Sequence, residues 1–171
     1  GAITAERSIG AVTRGDIVSC AARLTGELLQ QPPLYSALKV NGRRASDRAR
    51  KGEKVDLRPR KILVHDFEVL DTDLDAGRFT FRVHCTKGTY VRSLARDLGE
   101  MLGIGAHLEH LRRTGAGVFS VENAVTIPEL ESYLRGEGPE RPFRVRPVEA
   151  LAPYGKIVAE ASARQRVLNG S

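Results

Sequence analysis

Residues 79–102 read F-T-F-R-V-H-C-T-K-G-T-Y-V-R-S-L-A-R-D-L-G-E-M-L, and their hydrophobic period changes partway along. Phe79, Phe81, Val83 and Cys85 alternate with Thr80, Arg82 and His84, which predicts a strand with one buried face. After Gly88 the apolar residues Val91, Leu94, Ala95, Leu98, Met101 and Leu102 recur at helical spacing, with Thr89 as the predicted N-cap and Gly103 and Gly105 as the stop. Tyr90 and Arg92 fall at the join. There an aromatic ring and a cation can be presented together to one flat, polar ligand.

Working outward, Ile62, Val64, Phe67 and Val69 predict the partner strand of a hairpin, connected through the acidic turn at 71–77. Further upstream, Asp16 followed by Ile17, Cys20, Ala21, Leu24 and Leu28 predicts a capped amphipathic helix ended by Pro32-Pro33. The Pro-Pro bend delivers 34–40 in a fixed direction as loop or strand, Asn41-Gly42 signals a tight turn, and 45–51 predicts a short basic helix closed at Gly52. Downstream, 106–113 predicts a short helix, 117–121 a strand, Thr126 with Pro128 a helix to about Leu134, and 135–139 a linker. Hairpin strands followed by capped helices, without strict βαβ alternation, predict an α+β fold with a mainly antiparallel sheet and packed helices.

The chain has 171 residues, 41% of them hydrophobic, enough for one domain with a core or for one domain and part of another. Its start lacks a signal-peptide layout and its apolar runs are short, so a cytoplasmic protein with no membrane partner is expected. Cys20 and Cys85 lie in apolar surroundings and are expected as buried thiols. The formal charge of +6 is unevenly placed: residues 35–61 hold ten basic and three acidic side chains, a local +7, leaving −1 for the rest. A positive field concentrated in one region suits a polyanion, because neutralising phosphates releases condensed counterions; a solvated charged loop is the plain alternative.

Several residues can carry chemistry. If Tyr90 to Arg92 is extended, the two side chains share one side; if the helix has begun they diverge. Tyr90 can stack on a base and Arg92 can pair with a carboxylate or phosphate, or the two can be a core plug and a surface cation. Leu111 can floor a base pocket while Arg112 and Arg113 grip phosphates, although L-R-R is also common on solvated helices. Tyr35, Ser36 and Lys39 follow the Pro-Pro bend and can be aimed at a ligand. His107 and His110 share a predicted helix face without the further ligands a metal needs, so no metal is expected. Asp75, in L-D-A-G, sits in an acidic turn with no pocket and is rejected as a nucleophile.

Four blocks then resemble one family: Q-Q-P-P-L-Y-S-A-L-K-V-N-G-R-R at 30–44, A-R-K-G at 49–52, C-T-K-G-T-Y-V-R-S-L-A-R-D-L-G at 85–99 and G-A-H-L-E-H-L-R-R-T-G-A-G-V-F at 105–119. They stand in the order and spacing of the TruB-type tRNA pseudouridine synthases. The resemblance implies isomerisation of uridine 55 in the tRNA T-arm, with the base flipped out and no cofactor. It also implies that Tyr90 is the Tyr beside the base and a proton acceptor, that Arg92 pairs with the catalytic Asp, and that Leu111 lines the uracil pocket. Tyr35, Lys39, Arg43, Arg44, Arg48, Lys87, Arg112 and Arg113 are then the expected RNA contacts, and a monomer is expected.

On the same resemblance, 1–146 is a pseudouridine synthase catalytic portion and 147–171 the opening of a β-rich PUA domain. The family's Asp lies in a G-x-L-D-P-x-A-T-G loop that does not precede Gly1, so this polypeptide alone is expected to be inactive. The stretch from Gly10 to Gly26 is shorter than the family's, which implies a deletion or a gap. A reading of a different class is a non-catalytic tRNA-binding or RNA-folding module on the same scaffold.

Overall fold

The computed structural model describes residues 5–40, 42–137, 145–155, 157, 158 and 160–170. The predicted turn residue Asn41, the G-x-x-T reading at 1–4, the end of the 135–139 linker and Ser171 lie outside the described residues. Two compact units result, Gly1–His110 and Leu111–Ser171.

In the first unit, helix α1 (Arg14–Arg23) precedes strand β1 (Gly26–Gln30), a small hairpin β2 (Lys39–Val40) and β3 (Arg43–Arg44), and helix α2 (Ala45–Arg50). Strands β4 (Arg60–Asp73) and β5 (Arg78–Cys85) and helix α3 (Val91–Met101) follow. The main sheet is antiparallel in the order β1-β4-β5. Alternation in β5 is as predicted, with Phe79, Phe81, Val83 and Cys85 turned toward the core and the intervening polar residues exposed.

Cys20, Ala21 and Leu24 from α1, Ile62, Val64 and Phe67 from β4, and Leu94 and Leu98 from α3 form one buried cluster. Each fully buried leucine contributes about 1.5–3 kcal/mol relative to an exposed one. A second, smaller nucleus of Ala45, Val55 and Leu57, with Leu38 and Val40 against it, sits under the basic segment. That segment therefore has packing of its own, and α2 ends ahead of Gly52 (φ +73°) as predicted.

Three predictions fail locally. The first helix stops at Arg23 and Leu28 belongs to β1: Gly26 takes φ +99°, and residues 26–30 find backbone partners on β4 that outweigh the continuing helical stripe. Asp16 is not the cap but its reciprocal partner, since Thr13 caps α1 and the two close a capping box. Likewise α3 is capped by the extended backbone of Tyr90, not by Thr89, whose buried hydroxyl has no hydrogen-bond partner.

Residues 106–113 form no helix. The Gly105 N–H bonds the Gly99 carbonyl at 2.8 Å and holds Ala106 against α3, and the short segment has no cap to offset nucleation. His107 and His110 consequently share no helix face.

The second unit holds a two-residue hairpin, β6 (Gly115–Ala116) with β7 (Phe119–Ser120), where a single strand was expected. Gly117, at φ +59°, makes the reversal. A 3-10 turn at Val121–Asn123 leads to α4 (Ile127–Leu134), which Thr126 and Pro128 open as predicted, with Glu129 completing a capping box on Thr126. Beyond it lie α5 (Pro147–Ala150), a 3-10 turn at Ala161–Ala163 and α6 (Arg164–Leu168). The described residues after 147 are thus short helical turns, where the opening of a β-rich domain was expected. Among the described residues no helix is long and apolar enough to cross a membrane.

Candidate active site and RNA-binding surface

The strand-to-helix junction is pinned from below. Thr86, just past β5, gives its N–H to the Leu63 carbonyl at 2.9 Å, and its hydroxyl accepts the Leu63 N–H at 3.1 Å. Lys87 is exposed in the turn that follows, and Gly88 takes φ +87°. A β-branched residue there would be strained.

Tyr90 is half-buried and extended (φ −99°, ψ 105°), while Arg92 already lies in the first turn of α3. The helix has therefore begun between them. The Tyr90 N–H is accepted by Gln30 Oε1 at 2.8 Å, and Gln30 Nε2 donates back to the Tyr90 carbonyl at 3.1 Å. Arg92 is exposed and donates from its guanidinium to the Tyr35 carbonyl at 3.0 Å.

Two further bonds tie the same pieces together. Ser93, only 1% exposed, donates its hydroxyl to the Gln31 carbonyl at 2.9 Å, and Arg96 reaches that carbonyl at 3.2 Å. Gln31 Nε2 in turn donates to the Leu57 carbonyl at 2.5 Å, which links the junction to the basic segment. Residues 30–35, stiffened by Pro32-Pro33, thus form a strap across the start of α3. It brings the Tyr35 and Tyr90 backbones and the Arg92 guanidinium into one neighbourhood, while the Tyr90 and Arg92 side chains fall under the diverging case, since the helix begins between them. Sequence reasoning missed Gln30, Ser93 and Arg96, whose partners here are backbone groups 60 or more residues away.

The basic segment divides into free and committed cations. Lys39 faces Arg44 across the β2–β3 pair, with Arg43 opposite Val40. Like charges directly opposite on a strand pair destabilise it, so an anion laid over the hairpin would relieve that repulsion. Arg48 differs: it is salt-bridged to Glu53 at 2.6 Å, and this hydrogen bond holds the Glu53 carboxyl below its ordinary pKa. Tyr35 is 57% exposed, its ring available to a ligand.

Leu111, Arg112 and Arg113 belong to the second unit and lie in non-helical chain. Leu111 is 65% exposed and both arginines are exposed, so none of the three is committed to a core.

Comparison with known proteins identifies the family. The family model described as TruB family pseudouridylate synthase (N-terminal domain) matches residues 1–91, and the tRNA pseudouridylate synthase B C-terminal domain matches 92–152. The boundary between them cuts the first turn of α3, so it divides sequence and not structure.

The tRNA pseudouridine synthase B of Cupriavidus metallidurans is 44% identical over 153 residues, covering 89% of this chain and 48% of that protein. Its namesake from Bacillus thuringiensis is 37% identical over 163 residues, covering 93% and 53%. A chain in the crystal structure of a Cbf5-Nop10-Gar1 complex superposes with a TM-score of 0.71 at 31% identity, over 96% of this chain and 46% of that one. The chain spans about half the length of the curated relatives it matches. On the match of the N-terminal model over more than half its residues, this chain belongs to the TruB family of pseudouridylate synthases.

Proposed function

We propose that this chain supplies part of the active centre and the RNA grip of a tRNA pseudouridine synthase acting on uridine 55 of the T-arm. The observation that carries this reading is the strapped junction, in which Tyr90 is clamped by Gln30 and Arg92 is tied to Tyr35. The reaction breaks the bond between ribose carbon 1′ and uracil N1, joins carbon 1′ to carbon 5, removes the carbon-5 proton and protonates N1. It is an isomerisation, so atoms balance without a cofactor.

Tyr90 stacks beside the flipped uracil and takes the carbon-5 proton, and Leu111 lines the uracil pocket. Arg92 holds the carboxylate of the family's catalytic Asp, which comes from outside these 171 residues. A guanidinium suits that task because it keeps its charge and offers several donors in a planar fork.

Tyr35, Lys39, Arg43, Arg44, Lys87, Arg112 and Arg113 contact the RNA backbone, in keeping with the local charge of +7 in 35–61, and Arg48 joins them by exchanging its Glu53 carboxylate for a phosphate. Residues 1–146 then serve the catalytic portion, and 147–171 the start of a PUA-like RNA-binding domain, in a cytoplasmic monomer. The exposure of Ile157 and Val158 supports a segment that buries little of its own apolar surface.

The test joins this chain to the family's Asp-bearing segment and supplies a tRNA transcript tritiated at uridine carbon 5. Tritium release at position 55 is expected. Tight T-arm binding with unchanged uridine would instead identify a non-catalytic RNA-binding module.

A further inference from the structure

We propose that Gln30 is a positioning residue that sets the Tyr90 peptide for the reaction, an inference that rests on the role of Tyr90 proposed above. Gln30 is the last residue of β1, registered against Arg60 of β4, and is 3% exposed. Its amide meets both backbone groups of Tyr90, much as a neighbouring strand would.

The Tyr90 carbonyl is also held by the helix, accepting the Ser93 N–H at 3.0 Å and the Leu94 N–H at 3.1 Å, whereas its N–H finds its acceptor among the described residues in Gln30. Tyr90 lies between the end of β5 and the start of α3, and an N-cap N–H has no intrahelical acceptor. Thr89, the neighbouring hydroxyl, makes no hydrogen bond. The Ser93, Arg96 and Arg92 bonds fix the strap to the helix, but within it only Gln30 acts on Tyr90 itself. A tilt of that peptide swings the ring, and a displacement of about 1 Å at a reacting group can cost on the order of 10²-fold in rate.

Two substitutions in the reconstituted enzyme separate this role from plain structural support. Gln30→Met keeps the length but loses donor and acceptor, and should lower kcat on the order of 10²-fold while KM for tRNA stays near wild type. Gln30→Glu tests the hydrogen-bond pattern: the ionised carboxylate accepts the Tyr90 N–H but cannot donate to the carbonyl, whereas the neutral acid does both. Its kcat relative to wild type should therefore rise as pH is lowered.

Amide hydrogen exchange supplies a readout independent of turnover, and should accelerate at Tyr90 but not at Leu98 in Gln30→Met. Wild-type kcat in Gln30→Met, a pH profile of Gln30→Glu parallel to wild type, or unchanged exchange at Tyr90 would each overturn the proposal. If Gln30→Met does not fold, the Gln30→Glu profile decides. Absence of turnover in the wild-type enzyme would count against the proposed function, while exchange at Tyr90 would still judge the clamp.

Discussion

Arg92 is placed where one guanidinium can serve two partners. One N–H goes to the Tyr35 carbonyl, and on the proposed reading the rest of the fork serves the catalytic carboxylate. Removing it should therefore harm chemistry more than grip. In the reconstituted enzyme Arg92→Ala is expected to lower kcat by about 10²–10³-fold, the range for losing one donor that stabilises reaction charge, with only a modest fall in tRNA affinity. Single-turnover rates and filter binding measure the two separately. A large loss of affinity with normal turnover would reassign Arg92 to the RNA-binding surface. Arg92→Lys should not rescue, because an ammonium is a point charge that cannot hold carbonyl and carboxylate in one plane.

At the scale of elements, the exit of α3 is set by one glycine. A methyl on Gly99 would overlap the backbone of Gly105 and Ala106, and backbone cannot give way as the tip of a flexible side chain can. Gly99→Ala should cost on the order of 1–3 kcal/mol by overpacking, read as a lower urea midpoint. Gly15→Ala on α1, whose added methyl meets only the Thr13 hydroxyl at 3.5 Å, should be neutral or stabilising by up to about 1 kcal/mol. A larger loss at Gly15 than at Gly99 would show that helix propensity and not the close approach decides.

What the sequence revealed and hid follows the same physics. The hairpin was legible because β4 and β5 bury one face, and α3 because its stripe is unbroken from Val91 to Leu102. β1 was hidden because Leu24 and Leu28 keep helical spacing, and only pairing with β4 reveals the strand. The segment 106–113 has helical composition but is claimed by a tertiary contact to Gly99. The block holding Tyr90 and Arg92 stands out as a motif. The role of Gln30 was hidden, since its partner lies 60 residues away and is backbone, which carries no side-chain signature.

For the molecule as a whole, the charge distribution predicts that RNA binding, as proposed, depends on salt. Lys39, Arg43 and Arg44 crowd one hairpin, whereas Arg48 is held by Glu53. Arg43→Ala and Arg44→Ala should each weaken T-arm RNA binding across sequences and reduce the slope of log affinity against log salt by about one unit per lost phosphate contact. Titrations over a range of salt concentrations measure this, and an unchanged slope would return those arginines to a solvated loop.

The small nucleus of Ala45, Val55 and Leu57 gives this cationic limb a foundation separate from the cluster around Leu94 and Leu98. On the proposed reading, loosening that nucleus would tell first on the grip for RNA and reach the strapped junction through the Gln31–Leu57 hydrogen bond.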